Sequence, residues 1–153
     1  SSMVLYFTGR SRSSAAIINE QKKNTSEGNQ TAIEAMHKIK QSAIDTKLAL
    51  LKGDVGEFAR ILGEGWENKK KMAGAITNPM IQEAFDVATG AGAMAGKVSG
   101  AGGGGFIMFV VEPTRKEEVV RALNNLNGFV MPFQFIDDGA HGWKIYSTDK
   151  VQK

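Results

Sequence analysis

At 153 residues, with 42% hydrophobic and 23% charged side chains, the chain has the size and composition of one compact domain with its own core. A formal charge of +3 is too small for the electrostatic footprint of a nucleic-acid binder, and no run of about 18 apolar residues supports a membrane span. The lack of cysteine excludes disulfides, thiolate metal sites and a cysteine nucleophile, and Ser1 to Phe7 lack a signal-peptide profile, so a cytoplasmic setting is expected.

Val4 to Phe7 is a short apolar and aromatic stretch that stops at Gly9 and predicts a strand. Ser11, Ser13 and Ser14 then offer capping hydroxyls ahead of Ala15, Ala16, Ile17 and Ile18, which predicts a helix. Over Thr31 to Lys52 the apolar residues Ile33, Met36, Ala43, Ile44, Leu48 and Leu51 recur at three- and four-residue intervals. That period predicts a long amphipathic helix with this stripe buried, ending at Gly53. Asp54 and Glu57 have the spacing of a capping box for a helix whose apolar face carries Phe58, Ile61, Leu62 and Trp66. So short a connection makes the two helices antiparallel. Asn78-Pro79 predicts a capped start to a helix burying Ile81, Ala84, Phe85 and Ala88 and closing at Gly90 and Gly92.

From Gly105 the period changes. Phe106 to Val111 is continuously apolar and predicts a buried strand. Thr114 and Glu117 have capping-box spacing for a helix with Val119, Val120, Leu123 and Leu126 on its buried face, ended by Asn127-Gly128. Val130 to Ile136, the turn signal Asp137-Asp138-Gly139 and Trp143 to Tyr146 predict a closing hairpin. The expected class is α+β, a four-stranded, mostly antiparallel, ferredoxin-like sheet packed against about five helices.

The most informative segment is Lys97-Val98-Ser99-Gly100-Ala101-Gly102-Gly103-Gly104-Gly105, with five glycines in the last six positions. Glycine at that density suits a backbone that takes positive φ angles or approaches a ligand or another backbone closely. Consecutive unshielded amides also form a concave donor surface for phosphate oxygens. Gly100, Gly102 and Gly105 satisfy G-x-G-x-x-G, but the dinucleotide fingerprint needs a strand before the loop and a helix after it, whereas the pattern here predicts a helix before and a strand after. A P-loop is excluded because Gly105 is followed by Phe106-Ile107 rather than by lysine and a hydroxyl residue. On residues alone, phosphate contact and a glycine hinge for tight packing are about equally supported.

The segment is similar to the third motif of the GHMP kinases, a lysine or related residue followed by x-x-G-A-G-x-G-G in the C-terminal domain. Tyr6 to Ser14, Gly65-Trp66-Glu67-Asn68-Lys69-Lys70 and Thr77-Asn78-Pro79 resemble the D-glycero-D-manno-heptose 7-phosphate kinase branch of that family, so the likeness covers nearly the whole chain. The resemblance implies the C-terminal, substrate-binding portion of an ATP- and Mg²⁺-dependent kinase that transfers the γ-phosphoryl group to a sugar hydroxyl. It implies a single domain over residues 1–153, whose partner is an N-terminal nucleotide-binding domain. The P-x-x-x-G-[LI]-x-S-S-A loop of that partner domain does not occur between Ser1 and Lys153, and no catalytic or metal-ligating residue is expected in this stretch, which alone should be inactive. A kinase for another sugar, such as galactose or fucose, and a non-catalytic ligand-binding or dimerisation module are the alternatives.

The resemblance implies that Arg12 faces a sugar or sugar-phosphate acceptor and that Ser99, Gly100, Ala101, Gly102, Gly103 and Gly104 lie near phosphate. Ser13 at the following helix start, and Lys69 and Lys70 about one turn after Trp66, are further acceptor candidates from their positions, although a lysine triplet usually includes at least two solvated members. A guanidinium grips phosphate through a planar fork, and helix amides after Ser13 would add to the attraction. Asp137-Asp138 reads as a turn rather than a metal site, His37 and His141 have no partner at ligand spacing, and Trp66 reads as core. Neither a nucleic acid nor a membrane is an expected partner, and a homodimer is possible.

Overall fold

The computed structural model describes residues 1–10 and 13–143. Arg12, Ser11 and the Lys144 to Tyr146 part of the expected hairpin therefore lie outside the described residues. The elements run β1 (Met3–Phe7), α1 (Ser14–Ser26), α2 (Gln30–Leu51), α3 (Val55–Lys70), a 3-10 turn (Gly74–Ile76), α4 (Pro79–Gly90), β2 (Ala93–Val98), β3 (Phe106–Val111), α5 (Lys116–Leu123) and β4 (Phe129–Met131).

The four strands form one antiparallel sheet in the order β2-β3-β1-β4. The first strand is central, and β3 is inserted between it and β2, which is the ferredoxin-like arrangement expected from the sequence. Strand alternation sends Val4, Tyr6, Ile107 and Phe109 to one face, where they are buried. There Phe109 meets the edge of Phe85 from α4 with ring centroids 5.2 Å apart, and Phe85 stacks on Trp66 of α3 at 5.4 Å and 8°. α3 and α4 thus share one aromatic layer, and Trp66 is core as expected, 3% exposed. On the opposite face Phe7 lies between Phe106 and Phe129, at 5.0 and 5.4 Å.

The caps explain the helix starts. Asn78 accepts from the Ile81 amide with Pro79 following, and Asp54 accepts from the Glu57 amide. Only half of the expected box forms at Asp54, because the Glu57 carboxylate is taken by Arg60 at 2.6 Å. At Thr114 no box forms at all: α5 starts one residue later behind Arg115, without a side-chain cap. That helix already ends at Leu123, so Asn127-Gly128 leads into β4 instead of terminating it.

Three expectations are corrected. α2 has the expected extent, but Ala32, Ala35 and Ala49 are its buried residues, while Met36, Ile44, Leu48 and Leu51 are exposed. Helices that approach closely bury small side chains, and the larger apolar stripe is left facing outward. Second, a strand and not a helix precedes the glycine loop. Ala93-Met94-Ala95-Gly96-Lys97-Val98 has little β-propensity, yet it pairs along β3, and Gly96 has to be small because a Cβ would come within 2.6 Å of the Phe109 ring. The dinucleotide reading still fails, since β3 rather than a helix follows the loop. Third, β4 stops at Met131 and pairs with β1, and Pro132 cannot continue the ladder. Phe135, Ile136 and Trp143 are exposed, with no strand assigned to them.

Candidate functional site

The loop from Ser99 to Gly105 joins β2 to β3 at the end of the sheet where β1 finishes. Gly100, Gly102, Gly103, Gly104 and Gly105 all have positive φ, from 71° to 154°. Such a run is open only to glycine, which accounts for the composition.

Three segments clamp the loop. From the end of β1, the Thr8 amide donates to the Gly105 carbonyl at 2.9 Å, and the Gly105 amide donates to the Arg10 carbonyl at 2.8 Å. The buried Thr8 hydroxyl accepts from the Gly105 amide at 3.1 Å. From the link into α4, the Ile76 carbonyl accepts from the Gly103 amide at 2.7 Å, and the Asn78 side chain donates to the Gly103 carbonyl at 3.0 Å. From the end of α3, the Lys69 ammonium donates to the Gly100 carbonyl. Asn78 therefore both caps α4 and holds the loop.

The glycines of the loop differ in what surrounds them. A Cβ on Gly102 would lie 2.7 Å from the Ile76 carbonyl, and one on Gly104 2.8 Å from that of Arg10, so these two are glycine for close backbone approach. At Gly100 a Cβ would meet nothing within 4 Å. Among the described residues, the amides of Gly100, Ala101, Gly102 and Gly104 have no hydrogen-bond partner, whereas that of Ser99 is used by the Phe106 carbonyl at 2.8 Å. Four such amides on a loop clamped by three segments are the kind of donor surface that suits phosphate oxygens. No group of three or more His, Asp or Glu gathers as a metal site among the described residues.

Two cavities are lined by residues that clamp the loop, Thr8 and Arg10 in one and Lys69 in the other. One, of about 600 Å³, is bounded by Thr8, Gly9, Arg10, Pro79, Glu83 and Asn127. The other, of about 540 Å³, lies between α1, α2, α3 and β2, and Lys69 and Lys97 both line it. Burial pushes the Lys69 ammonium below its ordinary pKa, and the positive charge of Lys97 adds to the effect.

The expected acceptor residues separate here. Lys69 reaches both the loop and the second cavity, while Lys70 is paired with Glu67 at 2.6 Å on its own helix. Ser13 is exposed at the start of α1 and makes no capping bond. Lys97 lines the cavity without having been singled out. Its sequence signal was its place at the head of the glycine motif, two residues before Ser99.

Residues 46–127 match the family model described as GHMP kinases C terminal. The chain belongs to the GHMP kinase family. It is 75% identical to a D-glycero-D-manno-heptose 1-phosphate kinase from Bacteriodes thetaiotaomicron, whose crystal structure superposes with a TM-score of 0.63 over 95% of this chain and 36% of that one. It is 41% identical over 142 residues to the D-glycero-alpha-D-manno-heptose 7-phosphate kinase of Campylobacter jejuni, covering 93% of this chain and 41% of the relative. The fold recurs in an L. major mevalonate kinase at 18% identity, with a TM-score of 0.73 over 80% of this chain and 37% of that one. This GHMP sequence thus spans about two fifths of the length of the heptose phosphate kinase relatives it matches.

Proposed function

We propose that this GHMP domain is the C-terminal, acceptor-binding portion of a kinase that moves the γ-phosphoryl group of ATP onto a hydroxyl of a heptose phosphate. The observation that carries the reading is the glycine loop, in which four amides have no partner among the described residues and which Lys69 ties to a lysine-lined cavity, in a chain 41% identical to a heptose 7-phosphate kinase over most of its length.

In this reading ATP with Mg²⁺ supplies the phosphoryl group and the charge neutralisation of its oxygens. The amides of Gly100, Ala101, Gly102 and Gly104 face phosphate oxygens, and the clamps from Thr8, Asn78 and Lys69 keep that surface from yielding as charge shifts. Arg12 and Ser13, which follow β1 in the sequence, contribute to the acceptor site. The nucleotide loop, the metal ligands and the activating base belong to an N-terminal domain, and this stretch alone transfers no phosphoryl group. The two named relatives differ in the position of the phosphate, so heptose 7-phosphate and heptose 1-phosphate are both to be offered as acceptors.

The test uses the protein joined to its nucleotide-binding domain, with ³¹P NMR following ATP and each sugar phosphate. ATP-dependent formation of a heptose bisphosphate from one of the two is expected. Turnover of unphosphorylated galactose or fucose in preference to both would overturn the reading. Arg12→Lys should raise the Michaelis constant for the sugar phosphate more than that for ATP, by the equivalent of about 1–3 kcal/mol for a charged hydrogen bond.

A further inference from the structure

The cavity between α1, α2, α3 and β2 gathers donors that have no anionic partner among the described residues. Lys69 from the last turn of α3 and Lys97 from β2 both line it, and their charges are close enough for Lys97 to disfavour protonation of Lys69. Among the described residues neither lysine forms an ion pair, in contrast to Lys70, Arg60, Arg115 and Arg121. No aspartate or glutamate lines the cavity. The side-chain nitrogen of Gln21, a third donor on the lining, is buried with no acceptor. Ile39, Ala43, Leu62 and Met72 form an apolar wall beside these donors.

Two like charges converging in a half-buried space with a spare amide donor are unfavourable in isolation, and a multiply charged anion reverses the sign of every one of these terms. A volume of about 540 Å³ is within the range of small-molecule sites and exceeds what a bare oxyanion needs. We propose that this cavity binds a phosphate monoester, with its phosphate between Lys69 and Lys97, its oxygens within reach of Gln21, and its organic body along the apolar wall. Resting on the kinase reading above, the ligand is the acceptor sugar, held by the phosphate it already carries. The Lys69 contact to Gly100 then links an occupied acceptor site to the glycine loop.

The experiment is an amide-resolved NMR titration of the ¹⁵N-labelled 153-residue chain with inorganic phosphate, heptose 7-phosphate and ATP in turn. Saturable shifts at Gly65, Lys69, Lys97 and Gly100 are expected, with the sugar phosphate binding at least tenfold more tightly than inorganic phosphate. Lys97→Met should weaken binding at least tenfold and Lys69→Arg less than Lys69→Met, while the exposed Lys71→Met leaves it unchanged. Circular dichroism verifies the fold of each variant, and Lys97→Met keeps the test open if loss of the Gly100 contact unfolds Lys69→Met. The absence of saturable shifts, equal weakening by Lys71→Met and Lys97→Met, equal affinity for inorganic and sugar phosphate, or ATP shifting Gly65 and Lys97 at lower concentration than the sugar phosphate does would each overturn the proposal. Failure of the kinase reading looks different: the joined enzyme would leave heptose phosphates unphosphorylated while this chain still bound them.

Discussion

The ammonium of Lys69 donates to the carbonyl of Gly100, tying the final turn of α3 to the first glycine of the β2–β3 loop. This lysine carries its charge in a half-buried position next to Lys97, which fixes a pH dependence. Its pKa in the folded chain lies below the ordinary 10.5. Between those two values the unfolded chain binds the proton more readily, so the contribution of Lys69 to stability rises with pH across that window and is unfavourable below it. Urea midpoints should therefore climb in the wild-type chain relative to Lys69→Met as the pH rises towards 10.5. Parallel curves for the two proteins would show that Lys69 is not perturbed.

Gly102 and Gly100 separate packing from ligand contact. Alanine at Gly102 puts a Cβ 2.7 Å from the Ile76 carbonyl at a φ of 109°, and should cost about 3 kcal/mol as strain and displacement. Asparagine at Gly100, with φ 71° and open space for the side chain, should cost only about 1 kcal/mol. In the joined kinase Gly100→Asn should nevertheless lower kcat/KM for ATP severalfold by crowding the free amides. Unchanged kinetics would restrict the loop to a packing role.

The aromatic layer predicts where the fold is most sensitive. Phe109 is 1% exposed and holds Phe85 and, through it, Trp66, so Phe109→Ala should lose about 3–5 kcal/mol in denaturant unfolding. A loss under 1 kcal/mol would mean that the layer repacks.

Leu48 and Leu51, half or more exposed on α2, with Val55 at the start of α3, make an apolar patch at the far end of the hairpin. Counting along α3, it lies roughly 20 Å from Lys69. The isolated chain should associate with increasing concentration, and a Leu48→Glu, Leu51→Glu variant should not. Sedimentation that shows both proteins monomeric at millimolar concentration would remove the patch as a contact surface.

Helices were legible in the sequence wherever a cap and a period agreed, as at Asp54 and Asn78. The buried face of α2 was not, because hydrophobicity ranks Leu48 above Ala49, while close helix packing selects the smaller side chain. β2 was hidden for a related reason. Its Ala, Gly and Met residues are poor strand formers, and only pairing with β3 and the fit of Phe109 over Gly96 make it a strand. The glycine loop stood out by composition, but its clamps did not, since Thr8, Arg10 and Ile76 act mainly through backbone groups that no side-chain pattern reveals. Lys97 and Lys69 share a cavity only because β2 runs beside α3, and that neighbourhood depends on the strand that was missed.

The central position of β1 has a consequence for how the domain is made. Both strands that flank it come from the far part of the chain, and Thr8 reaches Gly105 across 97 positions. During synthesis the first strand therefore emerges long before either neighbour exists, while α2 and α3, adjacent in sequence, can dock at once. Closing so large a loop costs entropy before its contacts form, which slows folding relative to a domain of purely local contacts. In the interval, the Val4 to Phe7 edge is open to strangers, and a holding chaperone or a fast-forming preceding domain would be its natural protection.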